Sequence, residues 1–308
     1  MSQMTQRLLV VGGNGFIGRH VVEHAIGLDW HVSSLNLSIP QGLKNDTRVN
    51  YIAADVTSKS KLMKAMEGAS YDYVVNCSGY IDHSLFSNGG RKVFDAHFLG
   101  VMNLVEALNN HQLKAFVNIG SSDEYGNISA PQSETQREAS ISPYSMGKVA
   151  ASHFLQMLHR TEDFPAITLR LFLTYGPGQD QQRFFPQVIK GCLEGSSFAT
   201  SAGEQLRDFC YIQDTVNAIF SSFSSYSALG EVINIASGKP VSVRHMIETV
   251  VELIGDGKPQ FGKIAYRVGE NMELYADVSK ARKLLGWEPK VSLEDGLSKT
   301  IKWVDESL

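Results

Sequence analysis

Residues 7–18 constrain the fold of this chain more than any other stretch. Arg7–Val11 is a short, almost wholly apolar run of the kind that forms a buried parallel strand. It leads directly into Gly12, Gly15 and Gly18, and then into a helical pattern through Val21, Val22 and Ile26. Glycines at a strand-to-helix turn let the backbone turn tightly and approach a pyrophosphate, which a helix N-terminus attracts. The spacing is G-x-x-G-x-x-G. In this context it predicts a nucleotide-binding turn rather than a plain loop.

The following residues repeat the alternation. Strand signals fall at His31 to Leu35, Val49 to Ala53, Tyr73 to Asn76, Ala115 to Ile119 and Ile167 to Leu171, with helical patterns between them. Such alternation predicts an α/β chain with a doubly wound parallel sheet, whose ligands lie at the carboxyl ends of the strands. Cys77, Ser78 and Gly79 follow the fourth strand, and Gly120-Ser121-Ser122-Asp123-Glu124-Tyr125-Gly126 follows the fifth. Arg91 to Leu108 carries one long amphipathic stripe, more suited to core or a partner-helix seam than to a cofactor. Past Leu171 the alternation degrades into polar, glycine-containing loops around Arg183, Arg207-Asp208-Phe209 and residues 263–270. The division expected is a dinucleotide-binding domain over residues 1–174 and a smaller, irregular, mainly substrate-binding part over 175–308, with segments near 234–238 returning to the first.

The second strand normally ends in an acid that holds the adenosine ribose hydroxyls; here it ends in Asn36. An amide still hydrogen-bonds a ribose but does not repel a 2′-phosphate, which opens the site to NADP. Arg19, Lys44 and Arg48 are candidate phosphate partners, each more simply read as a solvated surface cation. Asp55 is placed to accept from an adenine amino group.

A second constellation opens a helix at Ser142-Pro143-Tyr144, where Ser142 is placed to cap and Pro143 is tolerated in the first turn. Tyr144 and Lys148 stand at i and i+4, on one face and one turn apart. Of the 11 tyrosines, only this one has a lysine four residues on. An adjacent ammonium favours the phenolate, which would bring a phenol from near ~10 toward usable acid–base chemistry.

With 28 basic and 32 acidic side chains, net −4, and no basic stripe, the chain is not built for nucleic acid. Three cysteines without ligand-like spacing indicate a reducing compartment and no metal site. With no leader-like or membrane-spanning run, a cytoplasmic protein without membrane partners is expected.

Taken together these residues resemble the extended short-chain dehydrogenase/reductase family, in its nucleotide-sugar epimerase/dehydratase group, over nearly the whole length. The resemblance is carried by Gly12/Gly15/Gly18, Ser121 ahead of Tyr125-Gly126, the Tyr144/Lys148 pair, and Tyr175-Gly176-Pro177-Gly178. Arg207-Asp208-Phe209 with Asp214, Asn234-Ile235 with Gly238, and Asp277 through Leu285-Gly286-Trp287-Glu288-Pro289 extend it. It implies a Rossmann-type fold, with Gly12, Gly15, Phe16, Ile17, Gly18, Asn36, Asp55, Val56 and Gly79 on the cofactor, alongside Tyr144 and Lys148. It implies Tyr144 as the proton-transfer group, Lys148 on the nicotinamide ribose, and Ser121 on the reacting oxygen, with Ser122 the rival. Arg183, Arg207 and Arg267 would bind a nucleotide-diphosphate sugar, Arg207 at the diphosphate. Members often pair through two long helices, so a homodimer is expected.

Departures narrow the activity. The 4,6-dehydratases carry an acid where this chain has Ser122, leaving Asp123 as the only aligned carboxylate of their pair. The family's Asn in the long helix is His97, and its Asn before Tyr-Gly-Pro is Leu173. The wording of residues 120–126 and the neutral Asn36 look most like NADPH-dependent 4-ketoreductases of deoxysugar nucleotides, so NADP(H) is favoured, with NAD the alternative. An NAD-dependent 4-epimerase is the runner-up, and a non-catalytic dinucleotide sensor would lack the Tyr/Lys pair.

Overall fold

The structure, a computed structural model, describes residues 5–39, 47–108, 112–266 and 270–308. Its centre is a seven-stranded sheet. Six strands come from residues 7–171: β1 (Arg7–Val11), β2 (His31–Asn36), β3 (Val49–Ala53), β4 (Tyr73–Asn76), β5 (Ala115–Ser121) and β6 (Ala166–Leu171). The seventh, Val232–Ile235, arrives from far along the chain and pairs with β6. The order across the sheet is Val232–Ile235, β6, β5, β4, β1, β2, β3, every pair parallel. Strand order reverses between β1 and β4, and there the carboxyl ends part to leave a crevice.

The inner strands β1, β4, β5 and β6 are largely apolar runs because both faces are covered, whereas β2 carries Ser33 and Ser34 and the edge strand β3 leaves Asn50 and Ala53 exposed. Leu8 and Val10 pack on the side of α1 (Phe16–Gly27) and α7 (Ile212–Ser222). Leu9 and Val11 pack on the side of α2 (Lys59–Ala65), α4 (Leu99–Ala107) and α5 (Pro143–Glu162). The first of these cores runs on into α6 (Phe184–Leu193) and α8 (Val243–Ile254) without a break, so the irregular carboxyl-terminal segments share the apolar interior of the sheet.

The single stripe expected over residues 91–108 is two helices. α3 (Gly90–His97) and α4 meet at Phe98, whose N–H still donates to the Phe94 carbonyl at 2.9 Å. Two contacts draw α4 onto the loop after β3. Gly100 lies so close that an added Cβ would be 2.8 Å from Val56, and Asn103 Nδ2 donates to the Val56 carbonyl at 2.8 Å. α3 lies along α5, where Gly147 lets the Phe94 backbone and His97 approach.

Several residues that mark the family are structural. Asp214, buried at the start of α7, accepts from the N–H groups of Lys290 and Val291, while its carbonyl accepts from Trp287 Nε1. Tyr175 is buried with its hydroxyl on the Leu293 carbonyl. No helix among the described residues is long and apolar enough to cross a membrane.

Candidate active site

The glycine turn is a cradle shaped by the absence of side chains. Gly12 takes φ +79° and donates to the Leu35 carbonyl at 2.7 Å, tying the turn to the end of β2. A Cβ at Gly18 would stand 2.2 Å from the Gly12 carbonyl oxygen, and one at Gly12 2.9 Å from that of Cys77. Gly15 caps α1 with no side chain over the helix end, so the first-turn N–H groups of Phe16, Ile17 and Gly18 point outward without helical partners. An open helix N-terminus at the switch point of a parallel sheet fits a dinucleotide pyrophosphate.

Asn36 is buried at the end of β2. Its Oδ1 accepts the Asn14 N–H at 2.9 Å and its Nδ2 donates to Ser34 Oγ at 2.9 Å, so its carboxamide holds the glycine turn in place. Asp55 Oδ1 accepts from the backbone and hydroxyl of Thr57, which shapes the turn toward the buried Val56. Of the candidate phosphate partners, Arg19 lies along Gly178 and the Asn14 carbonyl. Arg48 precedes β3, at the amino ends of the strands, beside a cavity of about 360 Å³ shared with Arg7, His31 and Tyr71. Four strand residues, about 13 Å, separate that end from the Asn36 level, so Arg48 is not brought to the site. Lys44 and Arg267 lie outside the described residues.

On the other side of the crevice, α5 opens as its sequence dictates. Ser142 Oγ accepts the Ser145 N–H and Ser145 Oγ accepts that of Ser142, a reciprocal cap, with Pro143 in the first turn. This sets Tyr144 and Lys148 facing β5. The Tyr144 phenol faces the Ser121 side chain, which acts to lower its pKa. Ser121 is fixed by its own cap: its Oγ accepts the Asp123 N–H at 3.2 Å, and its N–H donates to Glu124 Oε1 at 2.8 Å. Ser122 is buried, and of the two rival serines Ser121 is the one that acts on the phenol's pKa. Asp123 turns into the crevice, 3.7 Å from His83.

Glu124 is fully buried and anchors this turn. It accepts from Arg170 Nε and Nη2 and from Ser152 Oγ, and Arg170 also pairs with Glu138.

Lys148 is buried, with Nζ donating to the Ile119 carbonyl at 2.6 Å. Burial lowers its pKa to about 8, opposed by the charges of Glu124 and Cys77. The Tyr144 phenol is not lowered, as the i, i+4 pairing suggested. Burial holds it well above the usual phenol value, Asp123 and Glu124 push it further, and the Ser121 hydroxyl and Arg183 work against them. Desolvation outweighs the neighbouring cations.

Arg183 is exposed at the cap of α6, close enough for its charge to act on Tyr144. Arg207 is buried; Nη2 pairs with Glu270 and Nη1 donates to the Leu206 carbonyl. Asp208 is no partner of Arg207. It is fully buried and accepts from the N–H and hydroxyl of Ser237, the N–H of Gly238 and the N–H of Ala276. Among the described residues no group of histidines, cysteines and carboxylates has the arrangement of a metal site.

Two residues of the site carry no periodic signal in the sequence. His83 lies on the loop after β4, its ring 5.6 Å from that of Tyr144; His97, at the end of α3, is 4.9 Å from it on another side. A histidine in an irregular loop shows its role only once the loop is folded.

The glycine cradle and the cluster of Ser121, Tyr144 and Lys148 face one crevice, the layout of dinucleotide-dependent oxidoreductases of the short-chain type. The family model described as the NAD dependent epimerase/dehydratase family matches residues 8–236, and the chain belongs to that family. An uncharacterized UDP-glucose epimerase of Bacillus subtilis (strain 168) is 28% identical over 97% of this chain and 98% of its own length. The dTDP-glucose 4,6-dehydratase of Xanthomonas campestris pv. campestris (strain B100) is 26% identical over 96% and 92%. Among solved structures, the UDP-glucuronic acid 4-epimerase of Bacillus cereus, in complex with UDP-glucuronic acid and NAD, superposes with a TM-score of 0.86. It is 27% identical over 98% of this chain and 100% of that one.

Proposed function

We propose that the protein moves hydride at C4 of a nucleotide-diphosphate sugar, working as an NAD-retaining 4-epimerase. The observation that carries this reading is the Tyr144 phenol facing Ser121, one helical turn from the buried Lys148 ammonium. Residues 12–18 would hold the pyrophosphate, Asn36 and Asp55 the adenosine end, and Lys148 the ribose of the nicotinamide. A bound nicotinamide supplies the hydride acceptor and, when oxidised, a positive ring. As the phenolate that the positive ring and the Lys148 ammonium would favour against burial, Tyr144 takes the proton from the sugar hydroxyl and returns it, while Ser121 holds the same oxygen. Arg207 and Arg183 bind the diphosphate side of the substrate. The protein pairs as a homodimer through α4 and α5.

A dehydratase needs a proton donor at position 122, and Ser122 is buried and neutral. The second reading is the NADPH-dependent 4-ketoreductase, favoured by the uncharged Asn36. The loop-holding bonds of that carboxamide account for Asn36 without a 2′-phosphate, and this ranks NAD first.

The test is the nucleotide released on denaturing the purified protein, followed by turnover of UDP-glucose and UDP-glucuronic acid. Released NAD with interconversion at C4 is expected, and Tyr144→Phe should keep the NAD and lose nearly all turnover. An empty site that saturates with NADPH, together with NADPH-dependent reduction of a nucleotide 4-ketosugar, would replace the epimerase with the reductase. In that case Asn36→Asp should shift preference toward NADH by ~10-fold or more, since like charges within a few ångströms cost a few kcal/mol at an effective dielectric near 20.

A further inference from the structure

We infer that His97 is a positioning residue: it tethers the loop after β4, with His83 on it, against the Tyr144 ring. His97 Nε2 lies 2.9 Å from the Tyr80 carbonyl oxygen. A carbonyl only accepts, so Nε2 carries the hydrogen and Nδ1 keeps its lone pair. The ring is neutral at working pH, because burial and the Lys148 charge push its pKa down to about 3 against the Tyr80 bond. It therefore adds no second positive charge beside Lys148.

The packing is as specific as the bond. Gly79 begins the loop at φ +103°, and an added Cβ there would lie 2.2 Å from His97 Cε1 and 2.6 Å from Nδ1. The imidazole thus occupies the space that a side chain at position 79 would fill. Its plane meets the Tyr144 ring edge-on, at 86° and 4.9 Å. From another side His83 meets the same ring at 78° and 5.6 Å, with its Nε2 3.7 Å from Asp123 Oδ2. Tyr144 is held between two imidazoles, and only His97 is buried in the protein body. Releasing the Tyr80 carbonyl frees the segment that carries the other.

The catalytic consequence rests on the hydride-transfer reading above, whereas the tether does not. A glutamine at 97 carries its amide N–H about as far out as imidazole Nε2, and an asparagine does not. Amide hydrogen exchange of peptides spanning residues 79–85, read by mass spectrometry, is expected to quicken ~10-fold or more in His97→Asn and to stay near wild type in His97→Gln. Thermal unfolding, checked by circular dichroism, should shift alike in both. With UDP-glucuronic acid or UDP-glucose as probe, His97→Asn should lower kcat ~10-fold or more with KM within about twofold, and His97→Gln should restore most of it. Exchange at 79–85 unchanged in His97→Asn, or raised equally in both variants, overturns the tether. A loosened loop with kcat unchanged overturns the catalytic consequence. A wild type that turns over neither probe counts against the proposed function alone, and exchange still decides the tether.

Discussion

Ser121 does two jobs that substitution can separate. Its hydroxyl caps the short turn over residues 122–125 and faces the Tyr144 phenol. Losing the cap costs about 1 kcal/mol of stability, whereas losing a donor on a developing oxyanion costs ~10²-fold in rate. Ser121→Ala is therefore expected to lower kcat ~10²-fold with a small fall in Tm, and Ser122→Ala to leave kcat within a few-fold. The reverse ranking in steady-state assays would move the reacting oxygen to Ser122. Lys148 supplies a pH signature. An unfolded lysine keeps its proton to about 10.5, and Lys148 in the fold only to about 8. Between those values the unfolded state holds more protons, so this residue makes stability rise with pH there. Urea unfolding at pH 8 and pH 10 should show that rise, and Lys148→Met should remove it. An identical pH slope in the variant would mean the ammonium is not desolvated.

At the scale of elements, Asp208 shows how a buried carboxylate joins distant strands. It follows the Leu206–Arg207 strand and gathers N–H groups from Ser237, Gly238 and Ala276. Removing it strands several buried donors at about 1–3 kcal/mol each, so Asp208→Ala should lose ~3 kcal/mol or more in urea unfolding. A loss below about 1 kcal/mol would mean the 237–238 turn finds other partners. The strands β1 to β6 were legible from sequence within two residues, because most are apolar runs bounded by turn signals, and β2 and the edge strand β3 keep enough β-branched and aromatic residues between such signals. The α5 cap was legible for a local reason too, since Ser142, Pro143 and Ser145 need only one another. The break at Phe98 was not, because it follows from Gly100 and Asn103 meeting Val56, a contact across 44 to 47 residues. The same blindness applied to Asp208, whose role as a buried acceptor has no signal among its sequence neighbours. Its real partners are 29 to 68 residues away. The lowered phenol expected from Lys148 failed similarly, because spacing along a helix says nothing about desolvation.

Across the whole molecule, the fold gives the two ligands of the proposed reaction separate anchors. The glycine cradle belongs to the sheet, while Arg207 comes from the carboxyl-terminal segments and reaches the same crevice, where Asp123 feels its charge. In this structure the guanidinium is engaged by Glu270. A diphosphate arriving there must share Arg207 with that carboxylate or displace it, and meets a like charge in either case. Arginine presents two parallel N–H groups to phosphate oxygens and lysine presents a point charge. Arg207→Lys is thus expected to weaken binding of UDP, taken as the diphosphate probe, by ~10-fold or more. Glu270→Gln, which removes the competing carboxylate, should tighten it several-fold, and both effects should shrink as salt screens the charges. NAD affinity should stay within about twofold in both variants, because the cradle lies on the other side of the crevice. Titration calorimetry with UDP and with NAD separates the two anchors. A UDP dissociation constant unchanged in Arg207→Lys would take Arg207 out of the substrate site, and NAD affinity falling in step with that of UDP would mean that the two anchors are one.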